Sequence, residues 1–269
     1  MRCLKNSLRR TDDKKADDDA RLYPIADLHI GDPTCKMSIA KKLVDTVLHD
    51  AHGYAILCGD LINNATKSSV SDAYGETISP DAQLQDAVKL FKPLADAKKI
   101  IAIVPGNHEL RTYREDGISL THVLAVQLGC EDVYSDTTAI LILQVGWCTQ
   151  SQRPFKYSVY VTHGSGGGRR PGSKINRLDD YGKIIDADVY ICGHTHMPAS
   201  FRQSFYRCHA ETGTVKEVDR LYVNTASCLG YDGGYGDRAG MTPGSNSYPI
   251  ITLRGKGVHL TDAMATVTL

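Results

Sequence analysis

Five short clusters hold the residues of this chain best suited to chemistry: Asp27 and His29 in "DLH", Asp60 in "GDLINN", Asn107 and His108 in "GNHE", His163 in "THG", and His194 and His196 in "GHTH". Carboxylates, imidazoles and an amide carbonyl make a mixed nitrogen and oxygen donor set that suits Mn, Fe, Zn or Ni and needs no thiolate. Taken singly, each has a plain structural reading: a histidine after a strand is ordinarily a hydrogen-bonded turn residue, and Asn107 or Asp60 could simply cap a turn. The joint pattern is harder to dismiss, because each cluster follows its own apolar run.

Those runs are the elements that must position the clusters. "RLYPI", "YAILC", "KKIIAIV", "YSVYV" and "DVYIC" read as strands. Between them, "SIAKKLVDTVLHDAH" spaces Ile39, Leu43, Val44, Val47 and Leu48 on one helical face. "SPDAQLQDAVKLFKPLADA" predicts a helix with Ser79 as N-cap and Pro80 at its first position, and a further helix is predicted near 119–128. Alternating strands and helices give an α/β fold in the first half, followed by a more antiparallel, strand-rich second half. In an open α/β sheet the carboxyl ends of the strands gather ligands along one edge, which would bring the five clusters into one site. Segments 68–80 and 230–247, rich in Gly, Ser and Tyr, read as loops that are mobile or touch a substrate.

A chain of 269 residues with 42% hydrophobic content is read as one domain over 21–269. Residues 1–20 are charged and poor in large apolar side chains, the composition of a flexible tail, with Asp17, Asp18 and Asp19 a solvated charge run. Thirty-one basic and thirty-one acidic side chains cancel, so any contact with a polyanion must be local. With no apolar run of membrane-spanning length and no signal-peptide segment, the expectation is a cytoplasmic protein without a membrane partner. The eight cysteines include no Cys-x-x-Cys pair and read as reduced structural residues.

In order and spacing, "DLH", "GDLINN", "GNHE", "THG" and "GHTH" resemble the five motifs of the calcineurin-like metallophosphoesterase superfamily, and "VNTAS" (223–227) resembles the Asn-containing strand that often follows them. The resemblance implies a four-layer αββα sandwich, two mixed β-sheets flanked by helices, holding two divalent metals about 3.5–4 Å apart. It assigns Asp27, His29 and His196 to one metal and Asn107, His163 and His194 to the other, with Asp60 bridging. Manganese is the metal implied first, with Fe, Zn or Ni also suited. His108 would assist the leaving-group oxygen, and Glu109 would either orient His108 or face solvent.

Gly-His-x-His resembles the phosphodiesterase and nuclease branches, and Asn63 and Asn64 stand where protein phosphatases of the superfamily carry Asp-Arg. The implied reaction is hydrolysis of a phosphodiester, in a nucleotide or nucleic acid, with Asn63, Arg111, Arg169 and Arg170 as candidate substrate contacts. Arg111, Tyr113 and Arg114 could meet phosphate and stack on a base. "GSGGGRRPGSK" could offer backbone N–H groups with Arg169, Arg170 and Lys174 to an anion, or be a basic surface loop. A phosphomonoesterase or protein phosphatase-like activity, and a non-catalytic metal-binding scaffold, are the alternatives.

Overall fold

The computed structural model describes residues 1–8, 19–67, 69 and 73–269. In chain order the elements are β1 (Arg2–Ser7), β2 (Ala20–Ile25), α1 (Met37–His49), β3 (Gly53–Leu57), α2 (Pro80–Asp96), β4 (Ile100–Ile103), α3 (Glu109–Asp116), α4 (Leu120–Leu128), β5 (Ala139–Cys148) and β6 (Arg153–Val161). They continue with α5 (Pro171–Asp180), β7 (Val189–Cys192), β8 (Ala199–His209), β9 (Thr214–Asn224), α6 (Tyr235–Arg238), β10 (Ile250–Leu253), β11 (Lys256–Gly257) and β12 (Ala265–Thr268).

Strands β4 and β7 are buried at every position and β2 and β3 at all but one, which is why their sequences are nearly unbroken apolar runs: both faces are covered. They belong to two mixed sheets. One has the order β12-β10-β2-β3-β4, with β2, β3 and β4 mutually parallel; the other has the order β1-β5-β6-β7-β9-β8, with β6, β7 and β9 mutually parallel and β11 pairing with β5. Between the sheets lies one apolar core that includes Ile25, Ile56, Leu141, Leu143, Val159 and Val223, with α1, α2 and α4 packed on its outer side through Val44, Val47, Phe91 and Leu124. A second cluster, Leu178 of α5 with Tyr160, Tyr181, Tyr190 and Tyr222, covers the far face of the other sheet. The layers are therefore αββα. None of the helices among the described residues is long and apolar enough to cross a membrane.

Local signals explain several boundaries. Ser79 Oγ accepts from Ala82 N at 3.3 Å with Pro80 at the first helical position of α2, and Ser119 Oγ accepts from His122 N at 3.3 Å to start α4. All eight cysteines are free.

The N-terminal segment differs from its compositional reading as a tail. Arg2–Ser7 pairs in parallel with Ala139–Gln144 of β5, and the Arg2 guanidinium donates to Glu131 O at 3.0 Å and to Tyr134 O at 2.6 Å. The physical reason is that backbone pairing with an open sheet edge needs little apolar content; buried Leu4 and Leu8 suffice to anchor it. The rest of the expected tail, 9–18, lies outside the described residues, as do 68 and 70–72 of the loop at 68–80.

Candidate metal centre

Each of the five clusters begins two to four residues beyond a parallel strand: Asp27 after β2, Asp60 after β3, Asn107 after β4, His163 after β6, His194 after β7. The hydrogen-bond ladder continues past the strands and locks these turns together: Asp27 N donates to Gly59 O at 3.1 Å, His29 N to Asp60 O at 3.0 Å, and Gly193 N to His163 O at 3.0 Å. Six of the eight described non-glycine residues with positive φ fall here: Asp27 (54°), His29 (51°), Asp60 (50°), Asn64 (42°), His194 (68°) and His196 (53°). Left-handed backbone costs a non-glycine residue roughly 1–2 kcal/mol, and it persists where the surroundings over-determine it, typically at functional sites.

The donor atoms form two groups that meet at Asp60. In the first, His29 Nε2 lies 3.1 Å from His196 Nε2, and these nitrogens lie 3.9 Å and 3.3 Å from Asp27 Oδ1. In the second, His163 Nε2 lies 3.1 Å from both Asp60 Oδ2 and Asn107 Oδ1, and His194 Nδ1 lies 2.7 Å from Asn107 Oδ1. Asp60 also shares a donor group with His29 and His108. The two halves are cross-linked, since His194 N donates to Asp27 Oδ2 at 2.9 Å.

Glu109 holds the second half in place. It is buried, and its carboxylate accepts four backbone N–H groups: Asp60 at 3.0 Å, Leu61 at 2.6 Å, Ile62 at 3.2 Å and Gly106 at 2.9 Å. It neither orients His108 nor faces solvent, the two roles its sequence position suggests; it clamps the "GDLINN" turn onto the "GNHE" turn. The glycines of these motifs permit that approach, because a Cβ on Gly59 (φ 84°) would collide with the Gly106 backbone and one on Gly106 with Asp60.

The charges are arranged for a cation. Burial would raise the Asp60 pKa, but the imidazoles of His163 and His108 outweigh it and hold the carboxyl well below its usual range. Burial pulls His163 down, yet Asp60 and Asp27 override it and push this imidazole up to about 10. The pull that two carboxylates exert on the His163 proton is the pull they would exert on a metal ion. Burial, with neighbouring imidazoles adding to it, keeps His29 well below the ordinary histidine value and lowers His194, leaving neutral rings of the kind metals ligate.

His108 sits at the rim, its Nε2 3.7 Å from Asp60 Oδ2. Its Nδ1 lies 2.6 Å from Asn63 O and its Nε2 lies 2.9 Å from Arg111 Nη2. A guanidinium can only donate, so Nε2 is the acceptor and Nδ1–H the donor in this arrangement. Burial first, then Arg111, lower the pKa of His108 against the pull of Asp60.

The other sequence candidates fall in different places. Arg111 reaches the site, also donating to Asn63 O at 3.0 Å, while Tyr113 and Arg114 on the same helix are exposed. The Asn63 side chain is buried and donates to Glu76 Oε1 at 3.2 Å, so it buttresses the turn. Arg169 and Arg170 are exposed just before α5. Sequence reading overlooked Cys58, whose carbonyl lies 2.7 Å from His163 Nδ1, and gave no role to Asn224, whose amide donates to Thr195 Oγ1 and Met197 O and fixes the "GHTH" loop. "VNTAS" carried the signal for Asn224; a backbone carbonyl carries none.

The residues fit metal ions on their own geometry. Two imidazole nitrogens 3.1 Å apart are spaced as adjacent ligands about 2.0–2.1 Å from a common ion, and three groups of His and Asp donors each lie within 4.8 Å. The sequence profile of the calcineurin-like phosphoesterase family matches residues 21–198. The chain belongs to that family. These phosphoesterases use metal ions, and the paired clusters described here suit two divalent cations. No curated protein matches the chain significantly in sequence. Among solved structures the chain is similar to a predicted phosphoesterase of Streptococcus pneumoniae TIGR4 (13% identity, TM-score 0.36, 88% of this chain and 83% of that one). It is also similar to Vacuolar Protein Sorting 29 of Cryptosporidium parvum (16%, 0.44, 93% and 97%) and to a metallophosphoesterase of Sphaerobacter thermophilus (14%, 0.39, 86% and 82%).

Proposed function

We propose that this member of the family hydrolyses a phosphodiester at a dinuclear centre in which Asp27, His29 and His196 would hold one metal and Asn107, His163 and His194 the other, with Asp60 shared between them. The observation that carries the reading is that both ligand halves are complete and His108 stands at their rim. When bound, two divalent cations supply a hydroxide near neutral pH and neutralise charge on the phosphoryl oxygens; manganese is the metal proposed.

The chain's own part is positioning and charge. Glu109 fixes the Asp60 turn, and the Cys58 carbonyl accepts the His163 Nδ1–H, fixing that tautomer. His108 and Arg111 would act as a pair: His108 Nε2 accepts from Arg111 Nη2, so the ring holds the guanidinium, a permanent positive charge, near the leaving oxygen. Asn64, at the position where protein phosphatases carry Arg, has its side chain occupied by His108 O at 2.7 Å and Thr112 Oγ1 at 3.0 Å. That supports a diester over a monoester, which would need an extra cation there.

The test is hydrolysis of bis-p-nitrophenyl phosphate and p-nitrophenyl phosphate by metal-stripped protein with Mn, Ni, Zn, Mg or no metal returned, beside His108→Ala. The expected result is metal-dependent diester turnover that falls about 10²-fold or more in the variant. Preference for the monoester, or no turnover with two metals bound, overturns the proposal.

A further inference from the structure

Beside the candidate metal centre lies a half-open pocket of about 190 Å³. One wall is Thr195, the residue between His194 and His196, so the cavity shares a loop with ligands of both metals. Another part of the lining is Gly166, Gly167 and Gly168, with the Ser173 side chain packed on Gly168 and Gly167 left uncovered. Two cations close it from α5. Lys174 Nζ donates to Thr195 O at 2.7 Å, which uses one of its three N–H bonds. Arg177 donates to Ser165 O at 3.1 Å and to Ser165 Oγ at 3.0 Å, which presses the guanidinium against the Gly166 turn.

The acids nearby do not cancel this charge. Asp180 lies 3.9 Å from Arg177, both half-exposed, a pairing of little strength. No carboxylate pairs with Lys174 among the described residues, and partial burial alone pulls its ammonium below the ordinary range. An ammonium partly removed from water without a counter-charge is a group that an anion would stabilise. The sequence candidates Arg169 and Arg170 do not line the cavity; Lys174 and Arg177, one helical turn apart, do.

We propose that this cavity is a second phosphate subsite, which takes the phosphate of a substrate strand that flanks the scissile diester and so selects oligonucleotide-like substrates over isolated diesters. The inference rests on the diesterase reading for its substrate, but its binding chemistry is separate from the metals.

The test compares thymidylyl-thymidine (TpT), which has one phosphate, with the trinucleotide TpTpT, which has two. Affinities are measured calorimetrically on the metal-loaded full chain carrying His108→Ala, so that bound diester is not consumed, with and without Arg177→Gln or Lys174→Gln. The expected result is that TpTpT binds about tenfold more tightly than TpT, and that either second substitution removes most of the difference. Equal affinities, or a difference that survives both substitutions, overturns the subsite. Inorganic phosphate bound by the protein with Arg177 intact but not by the Arg177→Gln variant, with TpT and TpTpT bound equally, makes the cavity a free-phosphate site and also overturns it. Hydrolysis of the two compounds by the protein with His108 intact is read separately. A preserved affinity difference without hydrolysis sinks the diesterase reading alone, and hydrolysis without a difference sinks the subsite alone.

Discussion

The two halves of the candidate metal centre use nearly the same donors and are supported unequally. In the Asp60 half, His163 is buried and tied by Nδ1 to the Cys58 carbonyl, and the Asp60 turn is clamped by four hydrogen bonds to Glu109. In the Asp27 half, His29 Nδ1 is buried with no hydrogen-bond partner, and the His196 side chain is 35% exposed. Partners behind a ligand fix its tautomer and orientation and typically contribute 10–100-fold in metal affinity. The difference teaches that a symmetrical set of ligand types does not make symmetrical sites; what stands behind the ligands decides how firmly each ion is held.

The largest effect is predicted for Glu109→Ala, which strands four buried N–H donors. We predict a loss of about 3–5 kcal/mol of unfolding free energy, read by urea denaturation of metal-stripped protein, with Glu109→Gln recovering part of it. A loss below about 1 kcal/mol would break the claim that the Asp60 half is the better-built one.

Next in size, stepwise chelation should release the metal proposed for Asp27, His29 and His196 first, with the second ion leaving at roughly 10–100-fold higher chelator concentration. Metal analysis at each step checks this, and simultaneous release would remove the asymmetry.

The same contrast predicts that His163→Ala costs about 1–3 kcal/mol of stability in metal-stripped protein because it leaves the buried Cys58 carbonyl unpaired. His196→Ala, at a partly exposed position, should stay within about 0.5 kcal/mol. The smallest effect is expected for Thr225→Val. Its hydroxyl donates to Asp27 Oδ2 across 3.4 Å, long for a hydrogen bond. A change of only a few-fold in affinity for the first-released metal, with no change in the second, would sharpen the comparison.

Much of this is legible in the amino-acid order alone. The strands that end in the clusters are covered on both faces, so they announce themselves as apolar runs, and a polar residue at the end of such a run stands out. Ser79 with Pro80 and the helix near 119–128 are legible for local reasons, since caps and first-turn prolines depend on neighbours in sequence. What escapes depends on contacts between distant segments. Nothing near Glu109 in sequence says that it meets the backbone of residues 60–62. Arg2–Ser7 reads as a charged tail because the edge of β5, more than a hundred residues away, is what makes it a strand. No position of β8 is buried and residues 214–220 of β9 are exposed or half-buried, so this part of the hairpin lacks the burial pattern that betrays the core strands, while the buried end of β9 at 221–224 is legible as a strand.

The pairing of β2 with β10 sets a schedule for the ribosome. Strand β2 ends at Ile25, and its partner on that side begins at Ile250. At about 5–20 residues per second, one edge of an apolar strand waits roughly 10–45 s for its neighbour to be synthesised. β3 can cover the other edge early, but the open one presents unpaired amides and carbonyls throughout translation. Until β10 is made, that edge of β2 is a place where the nascent chain can pair with a strand other than its own.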